Sequence, residues 1–407
     1  MKKKTLFLGG SSLLAYGWCN QIIDKEHVII GIHNRLTELE GFNTVSLNFN
    51  IIENQLKDLG VETIINCIGY TNVENCEINP EKAYEVNVEL PSLISKVCKF
   101  LSINLVHIST DHLFDGETKN CNETTKVNPL NIYAKTKHEG ETKVLEINPD
   151  ALVIRTNFYA CGPSYKESFS DFIINHLKLQ RNISLFSDVY YTPILVSELA
   201  IAIEKLIKKK CCGIYNIVSD QRISKLNFGI KIADEFSFDK KLINSISINS
   251  RNDLVDRPSE MSLSNTKLKN EGIFIKSIDD QIKDLKTQYD NSLNKPVIKK
   301  VIPYGRQNIS DEDIKSVMNV LKSDYLTQGP EVPNFEKAIT NYTNSKFGVA
   351  VNSATSALHI SCIALGLSKN DILWTSPITF VASANCALYC GAKVDFVDID
   401  SKTYNMS

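Results

Sequence analysis

Short apolar runs separated by longer amphipathic stretches constrain this chain more than any other feature of it. Thr5 to Leu8, Val28 to Ile32, Thr63 to Ile68, Leu105 to Ser109 and Val153 to Thr156 each read as a buried strand, rich in aliphatic and β-branched residues. Leu13 to Ile23 and Pro80 to Phe100 show helical periodicity between them, and a further helix carries Tyr133 ahead of Val153. Strands buried on both faces read as continuous apolar runs, and parallel neighbours need a long crossover, usually a helix. The fold class expected is α/β, a Rossmann-type doubly wound parallel sheet.

From Asn157 the alternation loosens into aromatic-rich loops and mixed elements up to about Tyr289. Residues 1–289 therefore read as one domain, with a small substrate lobe formed mainly by 157–289. The polar stretch DNSLNKPVIKK, beginning at Asp290, places a linker over 290–302. Residues 303–407 then carry their own α/β pattern. Its expected helices are Asp311 to Leu321, Asn334 to Tyr342, Thr355 to Leu365 and Phe380 to Cys390. Its expected strands are Gly348 to Val351, Ile372 to Thr375 and Lys393 to Val397.

Composition excludes several partners. A formal net charge of −2 over 407 residues gives no reason to expect nucleic acid or an anionic membrane surface. No apolar run approaches the ~20 residues that cross a bilayer. The N-terminal Lys2 to Ala15 imitates a signal peptide, but glycine and serine interrupt it, so a first strand and its turn explain it better. The eleven cysteines include no CxxC, and Cys386 and Cys390 lack further ligands at metal spacing. No metal site is expected, and a reducing cytoplasm is the expected compartment. A homodimer is compatible with all of this.

Four stretches carry chemistry. FLGGSSLLAYG follows the first strand and opens a helix, where glycines let a backbone approach a dinucleotide pyrophosphate. Gly9 takes the first glycine position of a GxxGxxG-type turn, while Ser12 and Ala15 take the second and third, and Leu13 enters the helix. Ser12 puts a β-carbon where phosphates should pass. The second strand ends in His33-Asn34-Arg35, with no carboxylate for a ribose 2′-hydroxyl. Arg35 is suited to pair with a 2′-phosphate, favouring NADPH over NADH, or is an ordinary surface arginine. Thr110, in Ile108-Ser109-Thr110-Asp111-His112, lies where a strand gives way to a loop and could share a substrate oxygen with Tyr133, or belong to a simple turn. Tyr133 and Lys137 stand four apart on one helix face. A nearby cation could make that tyrosine a usable acid; the bland alternative is a surface helix.

Taken in order, these residues resemble the extended short-chain dehydrogenase/reductases, most closely the dTDP-4-dehydrorhamnose reductase family, over about residues 1–290. The resemblance rests on Asn66-Cys67, Tyr70 to Glu74, Cys76-Glu77, Pro80, Ala83, Asn87, Ser109 to Asp111, Phe114 to Gly116 and Pro129 to Asn131. It continues through Tyr133, Lys137, Gly140-Glu141, Arg155-Thr156 and Arg257-Pro258. It implies hydride transfer from NADPH to the C4 ketone of a nucleotide-activated 4-keto-6-deoxy sugar. Tyr133 would donate the proton, Lys137 would lower its pKa and hold the ribose, and Thr110 would orient the ketone. Gly9, Ser12, Leu13, Arg35 and Cys67 would complete the cofactor site. His112 departs from the tyrosine usual there, and the absence of an Asp-Glu pair argues against the related dehydratases. A non-catalytic nucleotide-binding regulatory module with this fold, or an extended-family sugar epimerase, are the alternatives.

In the last hundred residues, Asn352 to Leu358 (NSATSAL) joins an expected strand to a helix, so amides and hydroxyls converge there. With Trp374 to Ala382 and Leu326-Thr327-Gln328-Gly329, this resembles the start of the DegT/DnrJ/EryC1 sugar-nucleotide aminotransferases, nearest those of pseudaminic-acid synthesis. The expected fold is a partial type I aminotransferase domain, truncated relative to the family. The resemblance implies that Ala354 and Thr355 would hold the phosphate of pyridoxal phosphate and that Phe380 would stack on its ring. Transamination is expected only if the domain continues past Ser407. A Ser/Thr-capped helix in an unrelated α/β domain is the alternative. Both halves point to nucleotide-activated deoxysugars of surface polysaccharides.

Overall fold

A computed structural model describes residues 4–22, 25–32, 39, 41–251, 253–294, 307–327 and 329–407. The chain divides into two compact units, Met1–Lys299 and Lys300–Ser407. Within the first, the strands β1 (Thr5–Leu8), β2 (Val28–Ile32), β3 (Asn43–Ser46), β4 (Thr63–Asn66), β5 (Asn104–Ile108) and β6 (Leu152–Arg155) pair in parallel. The strand Gly213–Asn216 joins β6, giving the order 213–216, β6, β5, β4, β1, β2, β3. The order reverses between β1 and β4, which opens a crevice at the carboxyl ends of those strands.

Alternation along each strand fills two cores. Phe7, Ile30, Ile65, Val106 and Ile154 face one side, against the helix α1 (Leu13–Cys19) and the helix Val196–Lys208. Leu6, Leu8, Ile64, Leu105 and Val153 face the other, against α2 (Ile52–Leu59) and the helices that follow β4. Those helices are α3 (Val73–Ile78), α4 (Pro80–Tyr84), one π-helical turn at Glu85–Glu89, and α5 (Leu90–Leu101). The helix α6 (Ile132–Ile147) lies beside them. Phe7 meets Trp18 edge-on at 5.2 Å.

Val196–Lys208 and Gly213–Asn216, which the sequence places with the substrate lobe, belong to this sheet layer: Leu199, Ile203 and Tyr215 sit in its core. The lobe has a separate core around Phe228, whose ring meets Tyr159 at 4.9 Å and Tyr191 at 5.9 Å.

The second unit has the helices Asp311–Leu321, Glu331–Thr343, Ala354–Ala364 and Ala382–Tyr389, and the parallel strands Ile372–Thr375 and Lys393–Phe396. The strand expected over Gly348–Val351 is not formed. Those residues are irregular, and the two strands present pair only with each other among the described residues. Without a neighbouring strand, alternating Gly-Val-Ala-Val has no ladder to join. No described helix is long and apolar enough to cross a membrane, and no described cluster of three His, Cys, Asp or Glu could hold a metal ion.

Candidate active site

A cleft of about 1010 Å³ opens at the carboxyl ends of β1, β4 and β5. Gly9, Ser12, Leu13, Cys67, Thr110, Tyr133 and Lys137 all line it, so the structure gathers seven of the eight residues proposed for the reductase site. The eighth, Arg35, lies outside the described residues. Residues the sequence reading did not single out close the cleft at the end of β2 and beyond it: Gly31, Ile32, Leu47, Phe49 and Asn50, none of them a carboxylate.

The turn after β1 depends on Gly9. Its φ of +79° belongs to the left-handed region, and a β-carbon there would come 3.0 Å from Ile68 Cγ1 and 3.2 Å from Ile68 N. Ser12 sits differently from the obstruction its sequence position suggests. It is the N-cap of α1, its φ and ψ are extended, and its Oγ accepts from Ala15 N at 3.1 Å. The hydroxyl therefore folds back on the helix end. The Cys67 thiol, pushed up to about 12 by burial against the opposing Ser12 hydrogen bond and Lys137 charge, stays protonated.

The α6 helix carries Tyr133 and Lys137 into the cleft. Its N-cap Asn131 accepts from Ala134 N at 2.9 Å and donates to the Asp256 carbonyl at 2.8 Å, while Glu77 accepts from Ile132 N at 2.7 Å. Its buried stripe is Tyr133, Thr136, Lys137, Gly140, Glu141 and Val144. That is helical spacing, yet most of the stripe is polar. Gly140 lets α6 approach the π turn, where a β-carbon would fall 2.1 Å from the Asn87 carbonyl oxygen. Asn87 is the clamp between them. Its Oδ1 accepts from Tyr70 N at 2.9 Å, and its Nδ2 donates to Tyr70 O and to Thr136 Oγ1, both at 3.1 Å. Asn87 thereby ties the loop after β4 to α6.

Tyr133 is held by the Thr110 hydroxyl and meets the edge of His112 at 5.7 Å. Burial raises its phenol above the ordinary range, the Thr110 hydrogen bond opposes this, and the charge of Asp111 adds to it. The Lys137 ammonium donates to the Ile108 carbonyl at 2.7 Å. Burial lowers that ammonium to about 8, and the Glu141 charge holds it up. Behind Lys137, Asn66 meets His107 at 3.2 Å, and Arg155 grips Glu141 at 3.0 and 2.8 Å. Asp111 is tied to Asn157 at 2.7 Å, and burial pushes its carboxyl up to about 6 against that bond. Thr156 Oγ1 lines the cleft, buried without a partner.

In the second unit, Ala354 and Thr355 occupy the first turn of Ala354–Ala364, behind the N-cap Ser353, which accepts from Ser356 N at 3.2 Å. Phe380 precedes the helix Ala382–Tyr389 with its side chain 60% exposed. The two helices pack along each other through His359 and Tyr389, 5.2 Å apart.

Comparison with known proteins agrees with both halves. Residues 3–291 match the RmlD substrate binding domain, and residues 307–407 match the DegT/DnrJ/EryC1/StrS aminotransferase family. The first part is 29% identical over 246 residues to the "Probable low-salt glycan biosynthesis reductase Agl14" of Haloferax volcanii, covering 58% of this chain and 81% of that protein. The second is 48% identical over 99 residues to the UDP-4-amino-4,6-dideoxy-N-acetyl-beta-L-altrosamine transaminase of Campylobacter jejuni. That match covers 24% of this chain and only 26% of the transaminase. The crystal structure of dTDP-4-dehydrorhamnose reductase from Bacillus anthracis, a complex with NADP, superposes with a TM-score of 0.63 at 21% identity, covering 71% of this chain and all of that one. The chain belongs to the RmlD substrate binding domain family.

Proposed function

We propose that residues 3–291 of this family member reduce the 4-keto group of a nucleotide-activated 6-deoxy sugar with NADPH. The observation that carries the reading is the convergence of Tyr133, Thr110 and Lys137 with the Gly9 turn in one cleft. The residues fit a dinucleotide. Gly9 leaves a turn that a side chain would block, and Thr156 Oγ1 is a buried cleft atom still lacking a partner. Gly9, Ser12, Leu13 and Cys67 would line the pyrophosphate and nicotinamide side, Lys137 and Tyr133 would hold the ribose, and Arg35 would pair with the 2′-phosphate.

When bound, NADPH supplies the hydride. Tyr133 donates its proton to the ketone oxygen, and a phenol kept protonated by burial suits a donor. The Thr110 hydroxyl fixes that oxygen against the phenol. Asn87 and Gly140 hold α6 at the distance this requires. The names of the relatives, a probable reductase of low-salt glycan biosynthesis and dTDP-4-dehydrorhamnose reductases, support the substrate class.

For residues 307–407 we propose part of a pyridoxal phosphate site, with Ala354 and Thr355 at the phosphate and Phe380 against the ring. The chain spans about a quarter of the length of the transaminases it matches, so transamination itself is carried only as a proposal.

The test is NADPH fluorescence on titration, followed by oxidation with 4-keto-6-deoxy sugar nucleotides. Saturable binding with stoichiometric oxidation supports the reading. Binding without turnover would replace it with a regulatory module. An epimerised product without net oxidation would replace it with an epimerase.

A further inference from the structure

The hydroxyl of Thr110 has more partners than one orientation can serve. A threonine hydroxyl carries one proton and two lone pairs. One lone pair accepts from His112 N at 3.3 Å. The same oxygen lies 3.4 Å from Asp111 Oδ1 and is hydrogen-bonded to the Tyr133 phenol. Thr110, Asp111, His112, Tyr133 and Asn157 all line the cleft. The proposed reduction needs the single Thr110 proton on the ketone oxygen. An ionised Asp111 would compete for that proton, because a carboxylate only accepts. A protonated Asp111 would donate to the second lone pair and leave the Thr110 proton for the ketone.

The surroundings of Asp111 bring the acid form within easy reach. Its side chain is 2% exposed, and Asn157 Nδ2 donates to Oδ2 at 2.7 Å, which leaves Oδ1 toward Thr110. His112 Nε2 lies 4.0 Å from Oδ1, but burial holds that imidazole at about 3, so it brings no charge. The phenols of Tyr133 and Tyr191, both raised by burial, are neutral neighbours as well. Lys225 is the cation that opposes protonation, and burial outweighs it, holding the carboxyl at about 6. An ionised Asp111 also raises the Tyr133 phenol, which makes it a poorer donor.

We propose that Asp111 is a positioning residue that works as the neutral acid: it donates to Thr110 and so turns the Thr110 proton onto the ketone oxygen. Asp111 keeps its own proton throughout. The hydride goes to the carbonyl carbon, and the proton gained by the oxygen comes from Tyr133. The role rests on the reductase reading.

The test is the pH profile of kcat for NADPH oxidation by 4-keto-6-deoxy sugar nucleotides, measured with the full chain. Asp111 is protonated below its pKa, so wild-type kcat is highest in acid and falls about tenfold per pH unit once the carboxyl ionises. Lys137, held at about 8, adds a separate fall at higher pH. Asp111→Asn gives Thr110 a permanent donor and still accepts from Asn157. In that variant the lower fall should vanish, the upper one remain, and kcat near pH ~8 exceed that of wild type about tenfold. Asp111→Ala offers Thr110 no donor, and should lower kcat about tenfold at the acid end. NADPH fluorescence titration checks that each variant is folded. Should Asp111→Asn not fold, Asn157→Leu carries the test: it removes a hydrogen bond that holds the carboxyl down, so the lower fall should move to higher pH. A lower fall that persists in Asp111→Asn, or stays in place in Asn157→Leu, overturns the role and leaves the reductase. So does a kcat lowered at every pH in Asp111→Asn, which is what a merely structural carboxylate predicts. A wild type that oxidises NADPH with no keto sugar nucleotide overturns both.

Discussion

Replacing Gly140 by alanine separates two effects that usually oppose each other. In an exposed helix interior the change stabilises by about 1 kcal/mol, because alanine is the better helix former. Here the new β-carbon would sit 2.1 Å from the Asn87 carbonyl oxygen, where real contacts begin at 3.0 Å. The obstacle is backbone, so α6 and the π turn must part by about 1 Å. Overpacking of this kind costs about 1–3 kcal/mol, which after the propensity gain leaves a net loss of roughly 0–2 kcal/mol. The larger effect falls on chemistry. Tyr133 and Lys137 ride on the same helix, and a misplacement of ~1 Å can lower turnover by ~10²-fold. The Asn87 bonds to Tyr70 and Thr136 stretch with it. Turnover is read as NADPH oxidation by a keto sugar nucleotide. Stability is read by urea unfolding in a Trp374→Phe background, so that Trp18 alone reports. A variant with wild-type turnover and increased stability would show that α6 does not need this close approach.

Three further outcomes follow from the same site. Tyr133→Phe should lower ketone reduction by ~10²–10⁴-fold while NADPH affinity stays nearly constant; wild-type turnover would remove the phenol from the mechanism. Arg35→Ala should raise the KM for NADPH far more than for NADH, since the lost charge-assisted hydrogen bond is worth about 1.5–3 kcal/mol; equal changes would show that Arg35 does not read the 2′-phosphate. His107 and His112, both lowered by burial to about 3, take up protons near pH 6.5 only when unfolded, so their contribution falls as pH drops below 6.5. Asp111, raised to about 6, opposes this between about pH 6 and 4, leaving one net proton and a slope of ~1.4 kcal/mol per pH unit. Urea unfolding at several pH values checks it, with a flatter slope expected for His107→Asn; an unchanged slope in that variant would refute the assignment.

The central strands were legible because a parallel strand covered on both faces is apolar throughout: Thr5–Leu8 and Val28–Ile32 fall where the sequence places them. The edge strand Asn43–Ser46 was not, since its residues are mostly exposed and polar and give no apolar run. Gly213–Asn216 was missed for a related reason, being short, glycine-led and only half buried. At the site, Tyr133, Lys137 and Thr110 were readable as a spaced set. Asn87 and the Glu141–Arg155 pair gain their roles from partners up to 49 residues away, which no local pattern marks. One signal was available. The stripe Tyr133, Thr136, Lys137, Gly140 and Glu141 has the period of a buried helix face, and polar residues on such a face need tertiary partners.

Those polar residues are costly where they lie, and stability does not explain them. Replacing a buried ion pair by apolar side chains is often neutral or stabilising, whereas leaving half of one is not. The Glu141 carboxylate must therefore accomplish something beyond holding Arg155. Burial alone raises it, yet His138, Arg155 and Ser109 hold it down at about 2, so it is ionised at every physiological pH. Its fixed charge is the largest influence keeping the Lys137 ammonium from falling below about 8. Lys137 thus remains mostly protonated near neutrality although it is 4% exposed and bonded only to a carbonyl. Arg155 anchors Glu141, and Glu141 keeps Lys137 charged one helical turn from Tyr133, where the proposed function has it hold a ribose. Under the proposed function the buried ions are retained for that charge, at the one helix where losing it would end the chemistry.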